Sequence, residues 1–216
     1  MIGASASLEF WPLLAVAGLG AFHGLNPGMG WLFAVALGLH RRNRRIVWLA
    51  LVPIGLGHAM SVGAVVLVFL WVGGFVDGWA FRICSAFVLI GWALYHWSSG
   101  HRHRVRFGLQ VGLVGLFLWS FLMATAHGAG MMLWPVLMPL CLSSGTVAVP
   151  VSNTLVAGLA GIGVHTLAML SVTALIAATV YEWAGLQVLR KAWLNIDVLW
   201  IAALTATAML IVWNTF

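Results

Sequence analysis

The sequence predicts an all-α polytopic membrane protein, with six transmembrane helices forming two inverted three-helix repeats and with helices one and four broken. Three observations carry that prediction. Composition comes first: 63% of the 216 residues are hydrophobic and only 6% are charged, with a mean hydropathy of +1.07. A soluble domain is about 45–50% apolar and about 25% charged. Water is therefore excluded as the main solvent, together with disorder, a collagen-like fibre and a disulfide scaffold. Second, the apolar stretches are apolar on every face, which excludes the polar-lumen alternation of a membrane β-barrel. Third, charge and turn residues divide the chain into six apolar runs, approximately 10–39, 46–76, 80–97, 107–141, 147–181 and 193–214. A helical span needs roughly 20 residues.

The loops set the orientation. Loop one holds Arg41, Arg42, Arg44 and Arg45, loop three holds Arg102, Arg104 and Arg106, and loop five holds Arg190 and Lys191. Of the ten basic residues only Arg82 falls in an even-numbered loop. The positive-inside rule then places loops one, three and five in the cytoplasm and both termini outside. The segment Met1 to Glu9 has no basic n-region of a signal peptide. The expected location is the inner or plasma membrane of a bacterium. The net charge of +6 is explained by this orientation and does not form a nucleic-acid patch; anionic lipid headgroups are the natural partners of the loop arginines. Cys84 and Cys141 stand alone, so no disulfide framework or redox motif is indicated.

The first and fourth runs exceed 30 residues, about 45 Å of helix against a hydrocarbon core of about 30 Å. Breaks account for the excess. Gly24, Pro27, Gly28 and Gly30 interrupt the first run, and Gly128, Gly130, Pro135 and Pro139 interrupt the fourth. Backbone carbonyls freed at such breaks need protein, water or a bound ion at membrane depth.

An internal repeat is visible. Ala21-Phe22-His23-Gly24 in the first run matches Thr125-Ala126-His127-Gly128 in the fourth, and methionines follow both. Gly57-His58-Ala59-Met60 in the second run matches Gly163-Val164-His165-Thr166 in the fifth. His23 and His58 stand 35 positions apart, His127 and His165 38. Residues 1–100 and 101–216 then form two three-span halves of one integral membrane domain, the second upside-down because the span number is odd. Broken helices at matching places of inverted halves point to a transporter's midplane site.

His23, His58, His127 and His165 lie inside apolar runs, where an ionisable group faces the bundle interior or a cavity. One such histidine can simply bond a neighbouring helix. Four at repeat-related positions argue for a shared task. Imidazole ligates nickel, cobalt, copper and zinc, and relays protons. Asn26 and the carbonyls freed around Gly24 and Gly130 add further donors, with hydroxyls from Ser61, Thr125 and Thr166. Met29, Met60, Met131 and Met169 can supply soft thioethers, although methionine in a span is commonly plain packing. No carboxylate lies deep in a run, which disfavours calcium or magnesium.

His23-Gly24-Leu25-Asn26-Pro27-Gly28 followed by Gly57-His58-Ala59-Met60-Ser61-Val62 resembles the nickel/cobalt transporter superfamily, near its efflux proteins and urease-accessory permeases. The likeness covers mainly residues 18–65. It implies a metal-ion permease and ligand roles for His23 and His58. Asn26 stands where that family commonly has an acidic residue, and Met29 where it commonly has a second histidine.

These readings converge on a secondary transporter moving a transition-metal cation (Ni, Co, Cu or Zn) through a midplane histidine site. The ion is the substrate, and no organic cofactor is expected. His23, His58, His127 and His165 are the expected ligands, with Asn26, Met29, Met60 and Met131 lining the substrate path. An ion gradient or a partner protein would drive it, since no nucleotide-binding motif is present, and a homo-oligomer is compatible. An intramembrane metal- or haem-binding enzyme, or an exporter of a small organic solute on a similar scaffold, are the alternatives. Trp48, Trp79, Trp97, Trp193 and Trp213 fit the membrane interfaces. Trp31, Trp119 and Trp134 fall deeper. Gly108, Gly112, Gly115, Gly158 and Gly161 offer small faces for helix contact.

Overall fold

A computed structural model of the chain describes residues 3–73, 78–99, 112–133, 151–184 and 196–213. The described residues are helical with short turns and no strand. Helix α1 spans Gly3–Leu25, α2 Trp31–His40, α3 Arg44–Gly73, α4 Gly78–Ser99, α5 Leu113–Ala126, α6 Val151–Thr179 and α7 Ile196–Trp213. Loops three and five, Asp77, Gly108, Trp134, Pro135, Pro139, Cys141 and Trp193 lie outside the described residues.

Two helices are long and apolar enough to cross a membrane, Arg44–Phe69 and Gly158–Trp183, 26 residues each. Only 39% and 28% of their most apolar windows are buried. The core helix of a soluble protein would be buried for most of its length. The exterior is correspondingly apolar: Trp71, Phe87, Trp97 and Trp183 are at least two-thirds exposed. A surface of this kind is stable against lipid and prone to association in water.

The first and fourth runs do break. The α1 ladder stops at Leu25, a single 3-10 turn covers Pro27–Met29, and α2 begins at Trp31. The turn needs Gly30 at φ 124°, a conformation that a side chain disfavours. The second break is tighter: α5 ends at Ala126, Gly128 takes φ 70°, and residues 129–133 are helical again.

Helix pairing has a regular pattern. α1 packs on α6, α3 on α5, α4 on α7, and α3 also meets α6. Exchanging α1 with α5, α3 with α6 and α4 with α7 leaves that set of pairs unchanged. Glycine permits the closest approaches. A Cβ on Gly20 would overlap the His165 carbonyl oxygen, and one on Gly57 would overlap the Phe117 carbonyl oxygen. Gly112, expected to serve a close contact, has open space beside it, whereas Gly158 and Gly161 on α6 are buried.

Hydroxyls also join the helices. Ser120 donates to the Ile54 carbonyl at 2.7 Å. The Thr125 hydroxyl gives its one proton to the Phe121 carbonyl, so in the 2.7 Å Ser61–Thr125 pair Ser61 is the donor. At one end of the bundle Arg44 pairs with Glu182 at 2.8 Å. The start of α3 and the end of the α6 segment therefore share one side.

Candidate functional site

Three histidines meet in the interior. His23 comes from α1, two residues before its end, His58 from the middle of α3 and His165 from the middle of α6, and all three are fully buried. Their ring centroids form a triangle: 4.9 Å between His23 and His165, 5.3 Å between His58 and His165, and 5.7 Å between His23 and His58. The first comes from one half of the chain and the third from the other, drawn together by the Gly20 approach of α1 to α6.

Carbonyls of α1 orient two of the rings. His23 Nδ1 lies 2.8 Å from the Leu19 oxygen, and His165 Nδ1 lies 3.3 Å from the Val16 oxygen. A carbonyl can only accept, so Nδ1 carries the proton in both and Nε2 holds the lone pair. His58 differs: neither of its nitrogens has a hydrogen-bond partner among the described residues, and the same holds for His165 Nε2. Buried donors and acceptors in this condition are uncommon. Thr166 Oγ1 and Thr173 Oγ1, both on α6, are buried without partners too. Because the Thr173 hydroxyl has no partner among the described residues, Thr173→Val is expected to be neutral or slightly stabilising, by less than about 1 kcal/mol. A melting point lowered by several degrees would show that the hydroxyl has a partner.

The fourth histidine, His127, is handled otherwise. It is half-buried at the end of α5, with Nδ1 bonded to the Met123 carbonyl of its own helix at 2.9 Å.

The remaining expected site residues are spread over the turn, the packed interior and the outer surface. Asn26 is buried, and its Oδ1 accepts from Gly28 N at 2.9 Å, capping the turn at the first break. Met29 is fully buried among Ala86, Leu89, Met132 and Leu204, and Met131 packs on the same cluster. Met60 points outward from α3 at 56% exposure, so it cannot reach the histidines. Met169 is fully buried one turn beyond His165 on the same face of α6.

Three carbonyls at the breaks accept from indoles. Trp31 donates to the Leu25 carbonyl at 3.2 Å, Trp119 to the Gly28 carbonyl at 2.9 Å and Trp92 to the Ala126 carbonyl at 2.8 Å. Trp92 escaped the sequence reading, yet it carries a usable signal: an indole inside an apolar run needs an acceptor, and carbonyls without a helical partner occur at the breaks.

No group of three or more His, Cys, Asp or Glu side chains among the described residues is set to hold a metal ion as the side chains stand. The His58 and His165 rings lie nearly parallel, at 14°. The spacing, by contrast, suits shared coordination. Imidazoles ligating one ion through nitrogens about 2.0–2.1 Å away place their ring centroids about 5 Å apart. The chain matches no protein-family model, no curated protein and no solved structure. Its own residues carry the functional argument.

Proposed function

We propose that this chain is a six-span secondary permease for a transition-metal cation, built as inverted halves 1–100 and 101–216, with His23, His58 and His165 binding the ion. The carrying observation is the triangle of buried imidazoles at 4.9–5.7 Å. Backbone carbonyls on Nδ1 of His23 and His165 add support, because metal-ligating histidine is regularly oriented by such a bond on its other nitrogen. His58, held by no hydrogen bond among the described residues, is the ring that turns to complete the site. His127 stays outside the three-ring set. The exchange symmetry of the helix pairs supports the inverted repeat, and rocking of one half against the other would open the site to each side in turn.

Protons oppose the ion, since an imidazolium has no lone pair to give. Binding should therefore weaken as pH falls. The test is metal analysis of purified protein in a Cys84→Ser, Cys141→Ser background, loaded with Ni(II), Co(II), Cu or Zn(II). One ion per chain is expected, lost in His58→Ala with helical content retained, and weakened less in His127→Ala. Protein that takes up none of these ions would remove the metal reading and leave the solute exporter. A Soret band would instead favour the haem alternative.

Orientation follows from the basic loops, and the Arg44–Glu182 pair supports loops one and five sharing a side. Cysteines placed at positions 42 and 104 in the same background should resist a membrane-impermeant reagent in intact cells and react after lysis. Labelling of both from outside would reverse the topology.

A further inference from the structure

We infer that the ion carried is monovalent, a Cu(I)-like soft cation, and not a divalent one; the inference rests on the permease reading above. Charge decides it. The three rings are neutral donors, and among the described residues no acidic residue stands beside them in sequence or is recorded in contact with them. The chain has four acidic residues in all. Glu9 stands 14 positions before His23 on α1, and Glu182 17 positions after His165, which is about 20–25 Å at the rise of a helix. Glu182 is moreover paired with Arg44. Asp197 lies on α7, whose main packing partner is α4. Asp77 lies outside the described residues, 19 positions after His58. Of the two cysteines, Cys84 is exposed on α4 and does not face the interior, and Cys141 lies outside the described residues.

An ion held by these three rings alone keeps its whole charge in a medium of low dielectric. The desolvation penalty of an ion grows with the square of its charge, so M²⁺ meets about four times the penalty of M⁺. An opposing field comes from the end of α1, where His23 sits two residues from the last helical position. A helix C-terminus is equivalent to about half a negative charge, enough to offset part of one unit and little of two. Donor softness points the same way. Three ring centroids near 5 Å fit a trigonal set of nitrogens, and Met169, fully buried, places a thioether one turn along the same face of α6. Imidazole accepts copper, and a thioether selects Cu(I) over hard ions.

The experiment is a selectivity titration of the full chain, in the Cys84→Ser, Cys141→Ser background, in lipid nanodiscs. The probes are Ag(I) as a redox-inert monovalent ion, Cu(I) under reductant, and Zn(II), Ni(II) and Co(II). Ag(I) and Cu(I) are expected to bind at least about 100-fold more tightly than any divalent ion. Divalent binding that equals or exceeds Ag(I) binding overturns the monovalent inference and leaves the permease standing. Binding of no ion overturns both. His58→Glu supplies the missing negative charge and should move the preference toward Zn(II) by at least about tenfold. If the folded variant keeps the wild-type preference, charge is not what selects the ion.

Discussion

Gly20→Ala is expected to destabilise the protein by about 3 kcal/mol, whereas Gly18→Ala, two residues earlier on the same helix, should be neutral or slightly stabilising. The difference lies in what a new Cβ meets. At Gly20 it overlaps the His165 backbone carbonyl and crowds Ala168 Cβ at 3.1 Å, and at Gly18 there is nothing within 4 Å. A flexible side chain could swing away, but a carbonyl inside a helix cannot, so α1 must lift from α6. In an open position alanine has the better helix propensity, by about 1 kcal/mol. Gly57→Ala, facing the Phe117 carbonyl across the α3–α5 contact, should behave like Gly20→Ala. Thermal unfolding of the purified variants by circular dichroism checks this. Equal melting points for Gly18→Ala and Gly20→Ala would mean that α1 and α6 do not approach as described. The effect should reach the histidines as well, because lifting α1 widens the 4.9 Å His23–His165 separation and stretches the His165–Val16 bond.

Helix existence and the two breaks were legible in the sequence because composition and glycine placement act locally. The runs 46–76 and 80–97 became α3 and α4 with ends shifted by a few residues. The long first run became α1, a turn and α2, since Pro27 cannot donate to the ladder and Gly30 accepts φ 124°. The histidines were legible for a different reason: a polar ring inside an apolar run must turn inward, and His23, His58 and His165 all did. What the sequence did not disclose was partnership at a distance. Asn26 and Met60 had the right types for a site, yet Asn26 is used by its own turn and Met60 faces out of the bundle. Nothing in the spacing around Trp119 marks Gly28, 91 positions away, as its acceptor. Of the glycines a stripe suggested, Gly112 meets open space whereas Gly158 and Gly161 are buried, since close approach depends on which faces meet.

The indole bonds lead to the second large effect. Trp119→Phe should destabilise the protein by about 1–3 kcal/mol, although it keeps an aromatic ring against Phe33, whose centroid is 4.9 Å from that of Trp119. The loss is the N–H that satisfies the Gly28 carbonyl. The bond is partly buried, so water does not simply replace the lost donor and the carbonyl retains a desolvation penalty. The bond ties α5, in the second half, to the turn that breaks the first. Trp92→Phe removes the corresponding donor from the Ala126 carbonyl at the other break and should have a similar effect. Trp48→Phe serves as the reference. Trp48 is 46% exposed near the start of α3, so its replacement should change stability by less than about 0.5 kcal/mol. Unfolding of the three variants in one detergent, followed by circular dichroism, separates the cases. If Trp119→Phe and Trp92→Phe melt with Trp48→Phe, the breaks are held by packing alone. A further consequence concerns motion. A turn released from Trp119 loses its tie to α5, and hydrogen exchange at Gly28 and Met29 should rise in Trp119→Phe while the middle of α3 keeps its protection.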